Sequence, residues 1–432
     1  MASDAELSLL VGAGTRAVDL GGRLLMPGFI DAHAHPVQGG LELRQCNLTG
    51  ARGADDCVSI VAAYAAAYPE CECEWVTGGG WSMAHFPGGT PAAAPLDAVV
   101  PDRPVYLVNR DHHGAWVNSA ALRLAGIDRD THDPSDGRIE RDAAGNPTGT
   151  LHEGASLLVQ ALLPAVSLDE AVAGVARGQE EMFSFGVTGW ADAWVGKTGG
   201  MESIFDAYMA ALDRDVLRAR VTGALWSERG AGLEQVEAFV RLREAVKRAN
   251  GSDAAARVTL AHHQVVGERD VARFAPVGAI ANLQMLWAAV DEQLDELTFP
   301  FLDPALVARH CPFGDLVRAG AQIACGSDWP VSTPNPWEAI AVGLTRAEEG
   351  READQRIGLH QRLDLPTMLD AYTAGSAHSN GRGDTTGRLD VGFAADLVVL
   401  DDDPFTIAPE RLRRVGVGQT WVGGAQVAGA HV

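Results

Sequence analysis

The chain has 432 residues, 47% hydrophobic and 21% charged, which is enough apolar material for one large core and a smaller unit and excludes a disordered chain. Its 57 acidic against 34 basic residues leave a formal charge of −23, a solubilising surface that repels phosphate backbones and anionic lipid, so nucleic acid and membranes are set aside as partners. The stretch from Met1 to Leu10 is acidic where a secretory leader would be basic, and no apolar run approaches the roughly 20 residues of a membrane span, so the cytoplasm is the expected location.

In chain order, residues 15–25 read as a strand. Short β-branched or apolar runs then recur at 28–33, 75–79, 105–108, 187–191, 217–225, 258–262, 279–283 and 322–326, separated by amphipathic stretches. That alternation is the pattern of β/α units around a parallel sheet. Residues 61–68 read as an ordinary Ala-rich helix, and helical periodicity is clear at 168–183, 233–248 and 304–319. In the last of these Asp303 can cap while Pro304 fits the first helical position. Beyond about Asp384 the texture becomes Gly-rich and strand-like, at 387–400 and 415–427, and residues 15–25 are expected to join it in a small β domain. The six cysteines, Cys46, Cys57, Cys71, Cys73, Cys311 and Cys325, form neither a C-x-x-C pair nor a disulfide scaffold and read as reduced thiols. Cys71 and Cys73, flanked by glutamates, read as structural rather than metal-binding.

Three strand ends carry chemistry. The run Pro27-Gly28-Phe29-Ile30-Asp31-Ala32-His33-Ala34-His35 ends in two histidines two residues apart, and a period of two puts both imidazoles on one side of the strand. An H-x-H pair alone is weak; its place at the C-terminal end of a strand, where barrel enzymes put their chemistry, strengthens it. The run Val258-Thr259-Leu260-Ala261 finishes at His262, a residue that in isolation reads as an ordinary packed histidine. The run Ile323-Ala324-Cys325-Gly326-Ser327 stops at Asp328, which alone would read as a helix cap; a buried carboxylate there needs a cation or hydrogen bonds. Together they supply three nitrogens and one oxygen, a set suited to Zn²⁺ or another divalent metal, one or two ions. Such an ion with an open position activates water and polarises a carbonyl, and Asp328 is the natural proton shuttle.

Taken together, these motifs make the chain resemble the amidohydrolase superfamily, in the branch that includes N-substituted formamide deformylase. Beyond H-x-H and Gly326-Ser327-Asp328-Trp329-Pro330-Val331, the resemblance is carried by residues 76–81 (Val-Thr-Gly-Gly-Gly-Trp), by Arg110-Asp111-His112-His113-Gly114-Ala115-Trp116-Val117-Asn118-Ser119, and by residues 387–397 (Gly-Arg-Leu-Asp-Val-Gly-Phe-Ala-Ala-Asp-Leu). It implies an α/β fold: a (β/α)8 TIM-like barrel over 27–382 with an inserted segment at about 71–150, and a small β-sandwich domain built from both termini, 1–26 and 383–432. It implies that His33, His35, His262 and Asp328 are metal ligands, that Asp328 is catalytic, and that Trp81 and His113 line a substrate pocket. For Trp81 and Trp116 core packing is the competing reading; His263 reads as structural. A small-molecule substrate and a homodimer are further family-level expectations.

Two departures stand out. The N-terminal share of the small β domain is cut to some twenty residues. More seriously, residues 226–257 hold one helix where the resemblance calls for barrel strands four and five, the family's carboxylated Lys and its fifth-strand His; Lys197 and Lys247 lie in a turn and a polar helix. Two parallel units do not fit in that interval. The expectation is that a segment is omitted between Gly230 and Arg257, visible as a jump beyond the 3.8 Å spacing of consecutive Cα atoms. The leading reading is a metal-dependent amidohydrolase that cleaves a C–N bond of a small amide, formamide or cyclic amide. The alternatives are a catalytically degenerate binding protein of the same fold and a metal-dependent deaminase; a deaminase would use a Glu near the later histidine, and Ala261 and His263 offer none.

Overall fold

The computed structural model describes residues 11–15, 17–69, 74–197, 200–201, 203–224, 257–351 and 357–429. Parallel pairing forms two three-stranded sheets. In the first, β2 (Phe29–Ala34) and β10 (Arg220–Gly223) flank β9 (Val187–Asp192). In the second, β12 (Ile280–Leu283) lies between β11 (Thr259–Leu260) and β13 (Gln322–Cys325). The sheets meet at β2 and β13, where the Asp328 N–H donates to His33 O at 2.8 Å and the Asn282 amide donates to Ala32 O at 2.8 Å.

The described residues thus hold six strands of parallel sheet where a closed eight-stranded barrel is expected. The interval 225–256 lies outside the described residues, and with it the predicted helix at 233–248, Lys247 and the Cα check on an omitted segment. Cys71 and Cys73 lie outside them too. The other four cysteines are free and buried.

The long crossover from β2 to β9 contains a separate six-stranded mixed sheet, in the order β3-β4-β5-β6-β8-β7: β3 (Cys46–Asn47), β4 (Val76–Trp81), β5 (Val105–Asn109), β6 (Gly114–Val117), β7 (Gly137–Arg141) and β8 (Pro147–Glu153). The runs at 75–79 and 105–108 therefore belong to an insertion with its own core, and that sheet begins earlier than the expected residue 71. At the termini, β1 (Leu24–Pro27) pairs antiparallel with β14 (Leu397–Leu400), which continues to β15 (Val417–Val422) and β16 (Ala425–Gly429). Among the described residues these strands form one four-stranded sheet, and no second layer of a sandwich is seen.

Helix Leu168–Ser184 starts where expected, under a capping box between Ser167 and Glu170. It crosses helix Pro36–Glu42 at glycines: a Cβ on Gly40 would sit 1.9 Å from Gly174 O, and one on Gly178 would sit 2.2 Å from Pro36 O. The predicted helix 304–319 is broken into Pro304–Val307 and Phe313–Arg318. Pro312 has no N–H to continue the ladder, and Cys311 at φ 53° has left the helical region. Asp303 caps the first piece through the Ala305 N–H, as expected. The main core packs Phe29 edge-on against Trp337 and Tyr372 beneath the parallel strands. Among the described residues no helix is long and apolar enough to cross a membrane.

Candidate metal centre

Strand β2 delivers its residues by period two. Asp31 and His33 lie on one side of it, the first fully buried, and His35 follows as the N-cap of helix Pro36–Glu42. The Asp31 carboxylate accepts the backbone N–H of His33 at 2.9 Å, the Ser327 N–H at 3.1 Å and the Ser327 hydroxyl, so it ties the end of β2 to the loop after β13. Burial pushes its carboxyl up to about 6, against the lowering effect of those bonds. Gly326 permits the approach: a Cβ there would lie 2.6 Å from His33 Cβ. The His35 N–H donates to Trp329 O at 2.7 Å, so the two loops are laced together at consecutive positions.

This framework gathers the site. His33 Nε2 and His35 Nε2 each lie 3.1 Å from the same oxygen, Asp328 Oδ1. The His33 and His262 rings meet edge to face at 4.7 Å, and donor atoms of His33, His262 and Asp328 lie within 4.8 Å of one another. Among the described residues this is the one such group of three or more His, Cys, Asp or Glu side chains. His262 and Asp328 hold φ of 60° and 58°, a left-handed backbone that non-glycine residues keep only where the surroundings impose it.

Electrostatics agree with the geometry. Burial alone would raise the Asp328 carboxyl, but the hydrogen bonds and charges of His33 and His35 outweigh it and hold it well below the usual range. His35 is raised, because its bond to Asp328 and the charges of Asp328, Asp192 and Asp31 overcome its burial. Burial, then the neighbouring His33, lowers His262 to about 4, which keeps it a neutral donor. Two imidazoles and a carboxylate with this spacing suit a divalent ion, and His35 adjoins them through Asp328 Oδ1 without belonging to that group of three.

The cluster opens through His262 and Asp328 into a cleft of about 1100 Å³, whose opposite wall includes Arg110, Asp111 and His113 from the β5–β6 loop of the insertion. His113 is exposed and its Nδ1–H donates to Glu153 Oε1 at 3.0 Å. Trp81 does not reach the cleft: it is buried at 1% exposure, donates its indole N–H to Leu107 O at 2.9 Å, and packs on Phe86 and Trp116. The expectation that it contacts substrate is thus corrected to core packing of the insertion. His263 is structural, with Nε2 on Leu260 O at 2.7 Å.

Sequence reading missed three contributors. Asp31 could have been found as a carboxylate inside an apolar strand. His112 is paired with Gln38 at 2.8 Å and faces Glu42 at 3.6 Å, joining the insertion to the helix after H-x-H; nothing in its local pattern separates it from His113. Trp287 stacks on His262 with ring centroids 4.8 Å apart and 9° between planes, and it lies in a turn without periodicity.

Comparisons with known proteins bear on the same residues. The chain is 37% identical to the Arabidopsis thaliana protein LONG AFTER FAR-RED 3 over 186 residues, 43% of this chain and 32% of that one. It is 31% identical to N-substituted formamide deformylase of Arthrobacter pascens over 185 residues, 41% of this chain and 34% of that one. The chain thus spans about a third of the length of the curated relatives it matches. The crystal structure of an uncharacterized metal-dependent hydrolase from Pyrococcus horikoshii OT3 shares the fold at a TM-score of 0.66 and 18% identity, with 94% of this chain and 92% of that one covered. The amidohydrolase family matches residues 16–247 and 230–428, two stretches that overlap at residues 230–247. Since those stretches take in β2 with its histidines, His262 and the loop of Asp328, the chain belongs to the amidohydrolase family.

Proposed function

We propose that the chain is a metal-dependent hydrolase that cleaves a C–N bond of a small amide, formamide or cyclic amide. In this reading the two parallel sheets belong to one β/α barrel over residues 27–382, the mixed sheet is its insertion, and the termini form a small β unit. The observation that carries the proposal is the convergence of His33, His262 and Asp328 within 4.8 Å at the end of a cleft of about 1100 Å³.

His33, His35, His262 and Asp328 would hold the ion, with Zn²⁺ the best match to their donor set. A divalent ion bound there would lower the pKa of water and polarise a carbonyl oxygen. The protein's own contribution is to move the proton: Asp328, ionised at neutral pH, accepts it from the attacking water and returns it to the departing nitrogen. His113 has its Nδ1 engaged by Glu153, which leaves Nε2 free to orient a polar group of the substrate across the cleft. The Asp31 carboxylate and the Ser327 hydroxyl keep the His33 and Asp328 loops in register.

The test is a screen of N-formyl and N-acyl compounds against protein reconstituted with Zn²⁺, before and after chelation. Turnover that disappears with chelator and returns with the ion is the expected result; turnover indifferent to chelator sinks the proposal. A second reading, a ligand-binding member without turnover, is favoured by one observation. Among the described residues the single lysine, Lys197, is exposed on a loop. Tight binding of an amide without its cleavage would select that reading.

A further inference from the structure

We propose that Trp287 is a positioning residue for His262, so that the short turn Met285–Ala288 makes the third imidazole available to an ion; this rests on the metal reading above. The imidazoles of the site are not held alike. Those of His33 and His35 are fixed by Asp328 Oδ1, and that of the adjacent His263 by Leu260 O. Among the described residues no hydrogen bond holds the His262 ring; its backbone N–H is anchored on Gln284 Oε1 at 2.7 Å, which fixes the main chain and leaves the ring free to turn. A metal-ligating histidine ordinarily has its second ring nitrogen hydrogen-bonded, which sets the plane of the ring. Here packing sets that plane instead, since one face of His262 lies 4.8 Å from the Trp287 ring at 9°, while His33 meets it edge to face at 4.7 Å.

A platform can orient a ring only if it is itself held. The Trp287 indole N–H donates to Ser332 Oγ at 2.9 Å, its backbone N–H donates to Gln284 O at 3.1 Å, and its carbonyl accepts from His310 Nε2 at 3.0 Å. Gln284 therefore serves both ends, gripping the main chain of His262 and starting the turn that brings Trp287 over its ring. The flat stack leaves the ring edges, where both nitrogens sit, clear of the indole.

The test is the affinity of the full chain for Zn²⁺ alone, measured by competition with a chromophoric chelator, in Trp287→Leu, Trp287→Phe, Ser332→Ala, His262→Ala and the double variants. Trp287→Leu is expected to weaken binding about 10- to 100-fold, the range typical of groups that orient a ligand, and Trp287→Phe less, because a ring still stacks. In the His262→Ala background, neither Trp287→Leu nor Ser332→Ala should weaken binding further. If Trp287→Leu fails to fold by circular dichroism, Ser332→Ala, which frees the indole to turn, carries the same comparison. Wild-type affinity in the Trp287 and Ser332 variants, or an equal loss with and without His262, overturns the assignment. A wild-type chain that takes up no ion, or a His262→Ala variant that binds normally, overturns the metal reading itself and this inference with it.

Discussion

At the scale of the residue, the proposed mechanism gives Asp328 two roles, a ligand oxygen and a proton carrier. Replacing it by Asn keeps the shape and one ligating oxygen but removes the charge that His33 and His35 share. Three imidazoles remain, so hydrolysis should fall by about 10² to 10⁴, the worth of general acid/base help, while Zn²⁺ affinity falls less. Parallel kinetics and metal titration check this; near-normal kcat in the Asn variant removes Asp328 from the mechanism. The protonation of the ligands sets a second expectation. A ligating imidazole must be neutral, and His262, at about 4, already is across the neutral range, whereas His35 is raised above 6.5. Metal uptake should therefore be strongest at alkaline pH and weaken as pH falls, as protons compete for His35, whose pKa is raised. A His35→Ala variant with the same pH profile would show that His35 takes no part.

At the scale of the element, the site depends on how closely backbones approach. Gly326→Ala would place a methyl group 2.6 Å from His33 Cβ and 2.7 Å from His33 N, and Gly40→Ala would drive a methyl into Gly174 O. Backbone cannot yield as a flexible side chain can, so each should destabilise the fold by about 1 to 3 kcal/mol or more, as overpacking does. Gly326→Ala should also loosen metal binding, because it parts β2 from the Asp328 loop. Chemical denaturation and metal titration read these effects; an unchanged midpoint for Gly40→Ala would contradict the close helix crossing. The elements also show what sequence can carry. Period two in β2 and the cap at Asp303 are local rules, and both appear as read. The break at Cys311-Pro312 was within reach of the same rules, since a proline inside a helical pattern ends it. Trp81 and Trp287 were beyond them. Whether an indole enters a core or a cleft is decided by neighbours distant in sequence, Leu107 and Phe86 for the first and His262 and Ser332 for the second.

At the scale of the molecule, two three-stranded parallel sheets share the junction at which His33 and Asp328 gather, and the insertion supplies the facing wall of the cleft. The overlap of the two family matches at residues 230–247 falls in the interval where the sequence reading expects an omitted segment. If a segment is omitted there, protein isolated from its source should exceed the mass of the 432-residue chain by two β/α units, roughly 60 residues, with the added peptides mapping inside the interval. An intact mass equal to that of the 432 residues would leave a shortened chain in which any turnover depends on the four residues proposed as ligands.

That His33, His35, His262 and Asp328 form one metal centre is the central claim, and elemental analysis of the purified chain tests it most directly. Wild-type protein should retain at least one equivalent of a divalent metal through gel filtration, and a variant with His33, His262 and Asp328 all replaced by Ala should retain none while staying folded. Wild-type protein free of metal after incubation with Zn²⁺, or a triple variant that keeps a full equivalent, would contradict it.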